Sequence, residues 1–359
     1  MDFPRIGRLA SGPFDSICDV AGVTVGHATL ARGATQTGVT VVRPHGGDIY
    51  RDKVPAAATV LNGFGKSVGL VQVDELGVLE TPIALTNTFS VGTVANAQIH
   101  QAVAANPEIG RTLPTVNPLV FECNDGYLND IQAMAVTEAD YMAAHAEADA
   151  NANAGLQCAQ GAVGAGRGMS CFGFKGGIGS ASRLAPAKDG RSWTVGALVL
   201  ANFGRQPLLT VAGRPFGRWL EQTPGDSREA DSSPEKGSII LLLATDAPLD
   251  ARQLRRLSLR AGAGLARTGS VFGHGSGDIA LAFSTAYTVP HLADRPMPAV
   301  AMLHETRIDP LFEAAAEAIE QAILHALWHA ESVTGRDGHE RLAIRDAIPA
   351  WRQWLDGGP

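Results

Sequence analysis

The feature that most constrains this chain is an abrupt change of composition at residue 238. Residues 221–237 contain no Val, Ile, Leu or Phe, which is typical of a polar, exposed and mobile linker. The apolar run from Ile239 to Ala244 follows at once. This run is too short to cross a membrane, and it has the length of a central strand that is buried on both faces. The sequence therefore predicts a core strand directly after an exposed linker.

Helical and extended patterns alternate along the rest of the chain. Asp309 and Pro310 suit the N-cap and the first position of a long helix. Few strand–helix–strand units repeat regularly, so the pattern predicts a layered α/β sandwich rather than a doubly wound sheet. Further elements are predicted as helices near residues 91–105, 137–153 and 251–265, and as strands near residues 193–201, 279–283 and 297–302.

Composition excludes several classes of protein. The chain has 359 residues, of which 45% are hydrophobic, and a formal net charge of -7, so it is not a disordered chain. It has no Lys/Arg run, which argues against nucleic acid or an anionic membrane as a partner. No apolar stretch is long enough for a membrane span, and no secretory signal is visible at the N terminus. We therefore expect a soluble, cytoplasmic protein.

Motifs for metals and cofactors are missing from the sequence. The four cysteines form no Cys-x-x-Cys pair. His325 and His329 have the i, i+4 spacing of metal ligands, but a surface helix face is the favoured interpretation because the His-Glu-x-x-His glutamate is missing. No dinucleotide fingerprint, phosphate loop or Gly-x-Ser-x-Gly elbow is present. The prediction is an activity with neither metal nor cofactor.

The Gly237-Ser238 pair stands at the junction between linker and strand. A serine in this place can attack the preceding carbonyl, which glycine leaves sterically open. The resulting ester would be cleaved by water, and the freed Ser238 would carry both a nucleophile and an α-amine with a pKa of about 7.7–8.0. From these residues alone, a surface loop that simply enters a strand remains the alternative.

Longer motifs resemble one family. The stretch from Gly237 through Leu249 is similar to the cleavage site of the DmpA-type aminopeptidases, which are also called L-aminopeptidase/D-esterases or β-peptidyl aminopeptidases. The similarity covers nearly the whole chain, in order. The other similar motifs lie at residues 19–27, 124–130, 174–179, 264–270 and 275–278.

This resemblance implies a fold and a processing event. The expected fold is an αββα sandwich, like that of the N-terminal-nucleophile hydrolases but with different connectivity. The precursor is expected to cleave itself between Gly237 and Ser238 into an α chain (1–237) and a β chain (238–359) that stay together in a single peptidase domain. Family members usually assemble several such heterodimers, commonly four.

The resemblance also implies roles for particular residues. Ser238 matches the nucleophile for self-cleavage and for turnover. Ser276 and Asp278 match the positions that hydrogen-bond the nucleophile and its amine. Tyr127 and Asn202 match the pair that stabilises the oxyanion, and both are neutral donors suited to charge that develops in the transition state.

A further carboxylate is expected at the substrate's amino end. Glu122 matches a group that would pair with a free ammonium, which would explain aminopeptidase rather than endopeptidase action. Structural roles are the alternative for each residue: a salt bridge for Glu122, a core side chain for Tyr127, a turn cap for Asn202 and a local turn for Ser276 with Asp278.

The implied activity is that of a serine aminopeptidase that releases N-terminal residues from short peptides, amino-acid amides or esters through an acyl-enzyme. Three alternatives remain open: an amidase like the nylon-oligomer hydrolases, an acyltransferase of the ornithine acetyltransferase type, and a binding protein without catalysis. The first two use a Thr nucleophile, which Ser238 disfavours. Phe64 and Arg167 differ from the usual family residues, so the resemblance implies no side-chain preference.

Overall fold

The computed structural model describes most of the chain, namely residues 3–154, 157–188, 190–222, 236–349, 351 and 354. The predicted mobile linker therefore lies mostly outside the described residues. Its two ends differ from the prediction, because residues 221 and 222 close a helix and Lys236 and Gly237 open a strand. Ser238 is thus the third residue of that strand.

Fifteen strands and seven α-helices occur within the described part of the chain. The strands are β1 (Thr24–Arg32), β2 (Thr35–Arg43), β3 (Asp52–Gly63), β4 (Val78–Leu79), β5 (Ile83–Asn87), β6 (Leu119–Cys123), β7 (Ser170–Cys171), β8 (Phe174–Lys175), β9 (Gly177–Pro186), β10 (Ser192–Asn202), β11 (Lys236–Thr245), β12 (Gly275–Ser284), β13 (Val289–Pro290), β14 (Val333–Thr334) and β15 (Glu340–Arg341). The helices are α1 (Leu70–Leu76), α2 (Val91–Ala105), α3 (Glu138–Ala154), α4 (Phe216–Gln222), α5 (Ala251–Arg267), α6 (Asp309–Trp328) and α7 (Ile344–Ala347).

Two sheets form the centre of the molecule. The larger has the order β13-β3-β12-β11-β10-β9, with β4 paired to β3, and the smaller has the order β1-β2-β5-β6. Most neighbours are antiparallel, but β11 pairs with β12 and β5 pairs with β6 in parallel. Parallel neighbours need a long crossover, and α5 supplies it between β11 and β12.

The apolar run of β11 is buried on both faces, as predicted. Ile239, Leu241 and Leu243 belong to the core that α5 and α6 cover, whereas Ile240 and Leu242 belong to the core between the two sheets. Side chains alternate across a strand, so a continuous apolar run fits only a strand with a layer on each side.

Helices cover both outer faces. Leu254 and Leu257 of α5 and Ile319 of α6 pack on the larger sheet, and Val94 of α2 and Tyr141 of α3 pack on the smaller one. The order of layers is therefore helix, sheet, sheet, helix. This confirms the predicted αββα sandwich.

Helix α6 lies unusually close to β9. A Cβ atom on Gly179 would stand 1.9 Å from the carbonyl oxygen of Ala322 and 2.7 Å from the amide nitrogen of Ala326. Only a glycine on the strand, facing alanines on the helix, permits this backbone approach. The small residues of α6 are thus part of its packing geometry.

Three sequence predictions need correction. Residues 297–302 form no strand. Asp309 is the first residue of α6 rather than its N-cap, which is Ile308. His325 is buried instead of exposed, and its imidazole contacts the carbonyl oxygen of Ser180 at 2.7 Å and the Gln321 amide at 2.8 Å. The sequence pattern did not predict this burial, because α6 is covered on almost every side and has no polar face that would indicate contact with solvent.

No helix in the described part of the chain is long and apolar enough to cross a membrane.

The contact of α6 with β9 makes Gly179 a sensitive position. Gly179→Ala should lower the free energy of unfolding by about 1–3 kcal/mol, because the added methyl group meets backbone atoms that cannot move aside locally. Gly92→Ala in α2 is the matched control, since nothing lies within 4 Å of its added methyl group. Denaturant titration of both variants measures the difference, and equal stability in the two would contradict the packing argument.

Candidate active site

Ser238 lies where three neighbouring strands of the larger sheet meet. Its register partners are Asn202 on β10 and Gly277 on β12. The side chain is buried, and its Oγ accepts a hydrogen bond of 3.1 Å from the backbone N–H of Gly277. The serine hydroxyl is therefore held by the sheet itself rather than by a loop.

Gly237 precedes the serine in a place without room for a side chain. A Cβ atom there would stand 2.2 Å from the carbonyl oxygen of Asn202 and 2.9 Å from the Cα of Phe203. The backbone requires glycine at this position for steric reasons, which adds to the sequence argument about the Gly237 carbonyl.

Ser276 and Asp278 flank Gly277 on β12. Their side chains share one face of the strand because they are two residues apart. The Ser276 hydroxyl donates a hydrogen bond to Asp278 Oδ1, and both residues are buried. Ser276 pairs in register with Gly237, one position before Ser238. The structure thus places both predicted partners on β12, the strand next to Ser238.

The Asn202 amide has its orientation set by two partners. Its Oδ1 accepts a bond of 2.9 Å from the Ser170 backbone N–H, and its Nδ2 donates a bond of 2.9 Å to the Asn124 carbonyl oxygen. A flipped amide would lose both bonds, so the assignment of oxygen and nitrogen follows from the network. One Nδ2–H is used by Asn124, and the second is the one available to a ligand.

Tyr127 lies in the loop that begins with Asn124. The residue is 40% exposed, and its ring stacks on the imidazole of His339 with centroids 4.6 Å apart. The Arg341 guanidinium lies over the same ring, 3.6 Å from its centroid. Arg336 Nε donates to the neighbouring Gly126 carbonyl oxygen at 2.7 Å. Tyr127 is therefore not a core tyrosine but a ring held at the surface.

The residues that hold Tyr127 were not found by sequence analysis. His339 and Arg341 belong to the β14–β15 hairpin, more than two hundred residues further along the chain. No motif marks them, because their role depends on where the hairpin packs. Their only sequence signal is a dense group of charged residues near the C terminus.

Glu122 is buried on β6, next to the site. Its Oε1 accepts a bond of 2.8 Å from the Lys66 backbone N–H, and its Oε2 accepts a bond from the Thr88 hydroxyl. A Cβ atom on Gly65 would lie within 4 Å of both Glu122 Oε1 and Gly277 Cα, so the carboxylate is close to β12, whose Gly277 N–H binds Ser238. Among the described residues, Glu122 forms no ion pair with a protein cation.

Cys123 contacts Ser238 from the second sheet. Its Sγ donates to the carbonyl oxygen of Ser238 at 3.3 Å. Burial, together with the nearby carboxylates of Glu122 and Asp278, raises the pKa of this thiol well above its ordinary value. It therefore stays protonated and acts as a donor, not as a second nucleophile.

Within the described residues, no three His, Cys, Asp or Glu side chains lie close enough together to hold a metal ion. His325, one of the two spaced histidines, uses its ring nitrogens in the hydrogen bonds described above.

The architecture and the buried serine define a class of enzyme. The L-aminopeptidase D-Ala-esterase/amidase of Ochrobactrum anthropi, described as a prototype for the serine aminopeptidases and a new variant among the Ntn hydrolase fold, is 33% identical and has a TM-score of 0.84 over 96% of each chain. The PH0078 protein of Pyrococcus horikoshii OT3 is 46% identical, with a TM-score of 0.88, over 98% of this chain and 97% of its own. The protein is a serine hydrolase of the N-terminal-nucleophile type.

The family follows from the sequence comparisons. The model of peptidase family S58 matches residues 15–341. The β-peptidyl aminopeptidase BapA of Sphingosinicella microcystinivorans is 39% identical over 346 residues, which cover 91% of this chain and 85% of BapA. The chain belongs to peptidase family S58, and it is an aminopeptidase. The resemblance stated from the sequence motifs is thereby confirmed.

The stacking on Tyr127 gives a test of the hairpin. A cation–π contact contributes about 0.5–2 kcal/mol. If Tyr127 must be held for activity, Arg341→Ala should lower kcat/KM by about 2- to 30-fold. Arg345→Ala is the matched control, because its guanidinium lies over Trp328 instead, 5.5 Å from the ring centroid. Steady-state kinetics that show the same loss in both variants would contradict a specific role for Arg341.

Proposed function

We propose that the chain is a precursor that cleaves itself between Gly237 and Ser238, and that Ser238 then serves as the N-terminal nucleophile of the aminopeptidase. The α chain would comprise residues 1–237 and the β chain residues 238–359. The observation that carries this proposal is the position of Ser238: its Oγ is buried and bonded to the Gly277 N–H, and it directly follows a glycine with no space for a Cβ atom.

Self-cleavage needs no group beyond these residues and water. The Ser238 Oγ attacks the Gly237 carbonyl carbon, and the C–N bond breaks as the proton moves to the nitrogen. The acyl group of Gly237 is then an ester on Oγ, and water hydrolyses it to a free carboxylate and a free hydroxyl. The new α-amine of Ser238, with a pKa of about 7.7–8.0 when unperturbed, can act as the base for later turnovers.

In turnover, Ser238 forms an acyl-enzyme with the substrate. The second Nδ2–H of Asn202 and the Tyr127 hydroxyl would donate to the oxyanion as it forms, because a hydrogen bond to a charged oxygen is stronger than one to the neutral carbonyl oxygen of the substrate. Ser276, bonded to Asp278, would orient the nucleophile and its amine. Water would then release the acid and regenerate the hydroxyl.

Glu122 would bind the substrate's free ammonium. A carboxylate has about four acceptor positions, and Lys66 and Thr88 use two of them. A buried carboxylate that is bound by these two neutral donors favours a cation as its remaining partner. A substrate with a blocked amino end would leave this charge uncompensated, so exopeptidase action at the amino terminus follows.

We propose short peptides, amino-acid amides and amino-acid esters as the substrate class. BapA is named for β-peptides, and the Ochrobactrum anthropi enzyme is named for D-alanine esters and amides. Substrates with a β-amino acid and substrates with an α-amino acid should therefore both be assayed. Phe64, which is exposed near the site and has the Lys66 ammonium 4.1 Å from its ring centroid, would contact the variable part of the substrate.

The processed pair is proposed to assemble further, with a tetramer of heterodimers as the favoured state, and to work in the cytoplasm. Exposed apolar side chains such as Val71 and Leu76 on α1 would suit burial between copies. All four cysteines are free thiols, which suits a reducing compartment.

Ser238→Ala tests self-cleavage. The normal protein, once unfolded in denaturant, should give two chains of about 25 and about 13 kDa, the smaller beginning Ser-Ile-Ile. The variant should give one intact chain and no turnover, because the attacking oxygen is gone. Ser284→Ala, which removes another buried hydroxyl of β12's sheet, should be processed normally. Intact mass and N-terminal sequencing decide the matter, and an uncut, active normal protein would overturn the proposal.

Glu122→Gln tests the ammonium site. The amide keeps the shape but loses the charge, so KM for an aminoacyl p-nitroanilide should rise by about 10- to 100-fold, as expected when a charged hydrogen bond is lost. Self-cleavage should be unaffected, because the Gly237–Ser238 peptide has no free ammonium. Glu320→Gln on α6 is the control, because its buried carboxylate pairs at 3.4 Å with the half-exposed Arg267 of α5. An unchanged KM in Glu122→Gln would remove it from the substrate site.

A further inference from the structure

Lys175 is a fully buried cation that the mechanism above does not use. Its ammonium donates three hydrogen bonds to backbone carbonyl oxygens, those of Gly166, Met169 and Gly176, at 2.9, 2.9 and 2.8 Å. A lysine ammonium has three donors and no acceptor, so all its capacity is directed at one glycine-rich segment. The protonated form is the one that satisfies all three carbonyls.

The charges around Lys175 come from several elements. Burial is the main cause that lowers its pKa, to about 7, and the Arg167 guanidinium adds to this. Glu331, the Cys171 thiol and the Asp125 carboxyl act in the opposite direction. A cation in so dry a place is costly unless its hydrogen bonds are complete. The three carbonyls therefore stabilise the buried ammonium, and the ammonium fixes the positions of the three carbonyls.

One of these carbonyls, that of Met169, belongs to a peptide unit that also binds the Asn202 amide. The C=O of Met169 and the N–H of Ser170 belong to the same planar peptide unit. Lys175 binds the oxygen end of that unit, and the N–H end donates to Asn202 Oδ1. A rotation of this peptide plane would break both bonds together. The path from Lys175 to Asn202 thus contains two hydrogen bonds and one rigid group.

The other side of the Asn202 amide is held by the loop of Tyr127. Its Nδ2 donates to the Asn124 carbonyl, and the next residue, Asp125, packs against the glycine-rich segment. A Cβ atom on Gly168 would stand 2.7 Å from the Cβ of Asp125. The glycine-rich segment and the Tyr127 loop therefore fit against each other with Asn202 between them.

We propose that Lys175 is a positioning residue for the oxyanion site: by binding the Met169 carbonyl, it orients the Ser170 N–H and through it the Asn202 amide. This inference rests on the proposed role of Asn202 in turnover. It predicts an effect on the chemical step more than on substrate binding, since Lys175 contacts no substrate and Asn202 acts on charge that develops in the transition state.

Lys175→Met is the primary test, because methionine keeps the length and removes the donors. The expected result is a fall in kcat of about 10- to 100-fold with KM within about threefold, as expected for a misplaced oxyanion donor. Rates are expressed per processed chain, below the melting temperature of each variant. Lys175→Gln, which keeps two N–H donors, is the second variant should the methionine side chain prevent folding, and its loss should be smaller.

Lys53→Met is the matched control. Lys53 lies at the start of β3, at the opposite end from Gly63, and it is also largely buried. Its ammonium pairs with the Glu80 carboxylate at 2.8 Å. Its loss should lower stability while leaving kcat per processed chain unchanged. An equal fall in kcat for Lys53→Met would show that losing any buried cation suffices, and it would overturn the proposal.

A double-mutant cycle with Asn202→Ala separates the positioning role of Lys175 from the oxyanion role of Asn202. If Lys175 acts through Asn202, then Lys175→Met should slow the Asn202→Ala enzyme far less than it slows the normal one. Equal factors in both backgrounds would overturn the positioning role while leaving Asn202 intact as an oxyanion donor. If Asn202→Ala itself keeps normal kcat, the proposed function of Asn202 fails, and this inference fails with it.

Discussion

Parallel pairing between β11 and β12 sets Ser238 opposite Gly277, and the rest of the site depends on that register. A shift by one residue would move every side chain of β11 to the opposite face, into a core whose packing fits its neighbour in the sequence. The two cores on either side of β11 therefore fix the position of Ser238. Burial of Ile239 and Ile240, which look like ordinary core residues, is what makes the serine's location unique.

Charge and hydrogen bonding are handled differently on the two sides of Ser238. On the β12 side, short side chains of one strand bond to each other, and the geometry follows from strand alternation. On the β10 side, the Asn202 amide depends on two segments, the glycine-rich segment that leads into β7 and the loop of Tyr127, which approach each other at Gly168. The conformation of these segments is restricted because their backbone groups form hydrogen bonds with buried polar groups, Lys175 among them.

The sequence was most informative where one strand carries both signals. The run 239–244 and the preceding Gly-Ser pair lie within one stretch, so pattern and motif together predict a buried strand with a nucleophile at its start. Contacts across the fold were not predictable in this way: nothing in the order of residues links Tyr127 to His339 and Arg341. The predicted strand at 297–302 failed because apolar content without a sheet neighbour does not make a strand.

The pairing of β11 with strands on both sides has a consequence for how long the two chains of a cleaved protein would stay together. If the peptide at Gly237 is cut, the new chain end remains in the middle of the larger sheet, bound to β10 and β12. The fragments could separate only by opening that sheet, so their lifetime together would be governed by an unfolding barrier rather than by an association equilibrium. Folding would then be irreversible in a chemical sense: two mature chains would have to reassemble without the covalent connection that first brought them together, against the entropy of joining separate molecules.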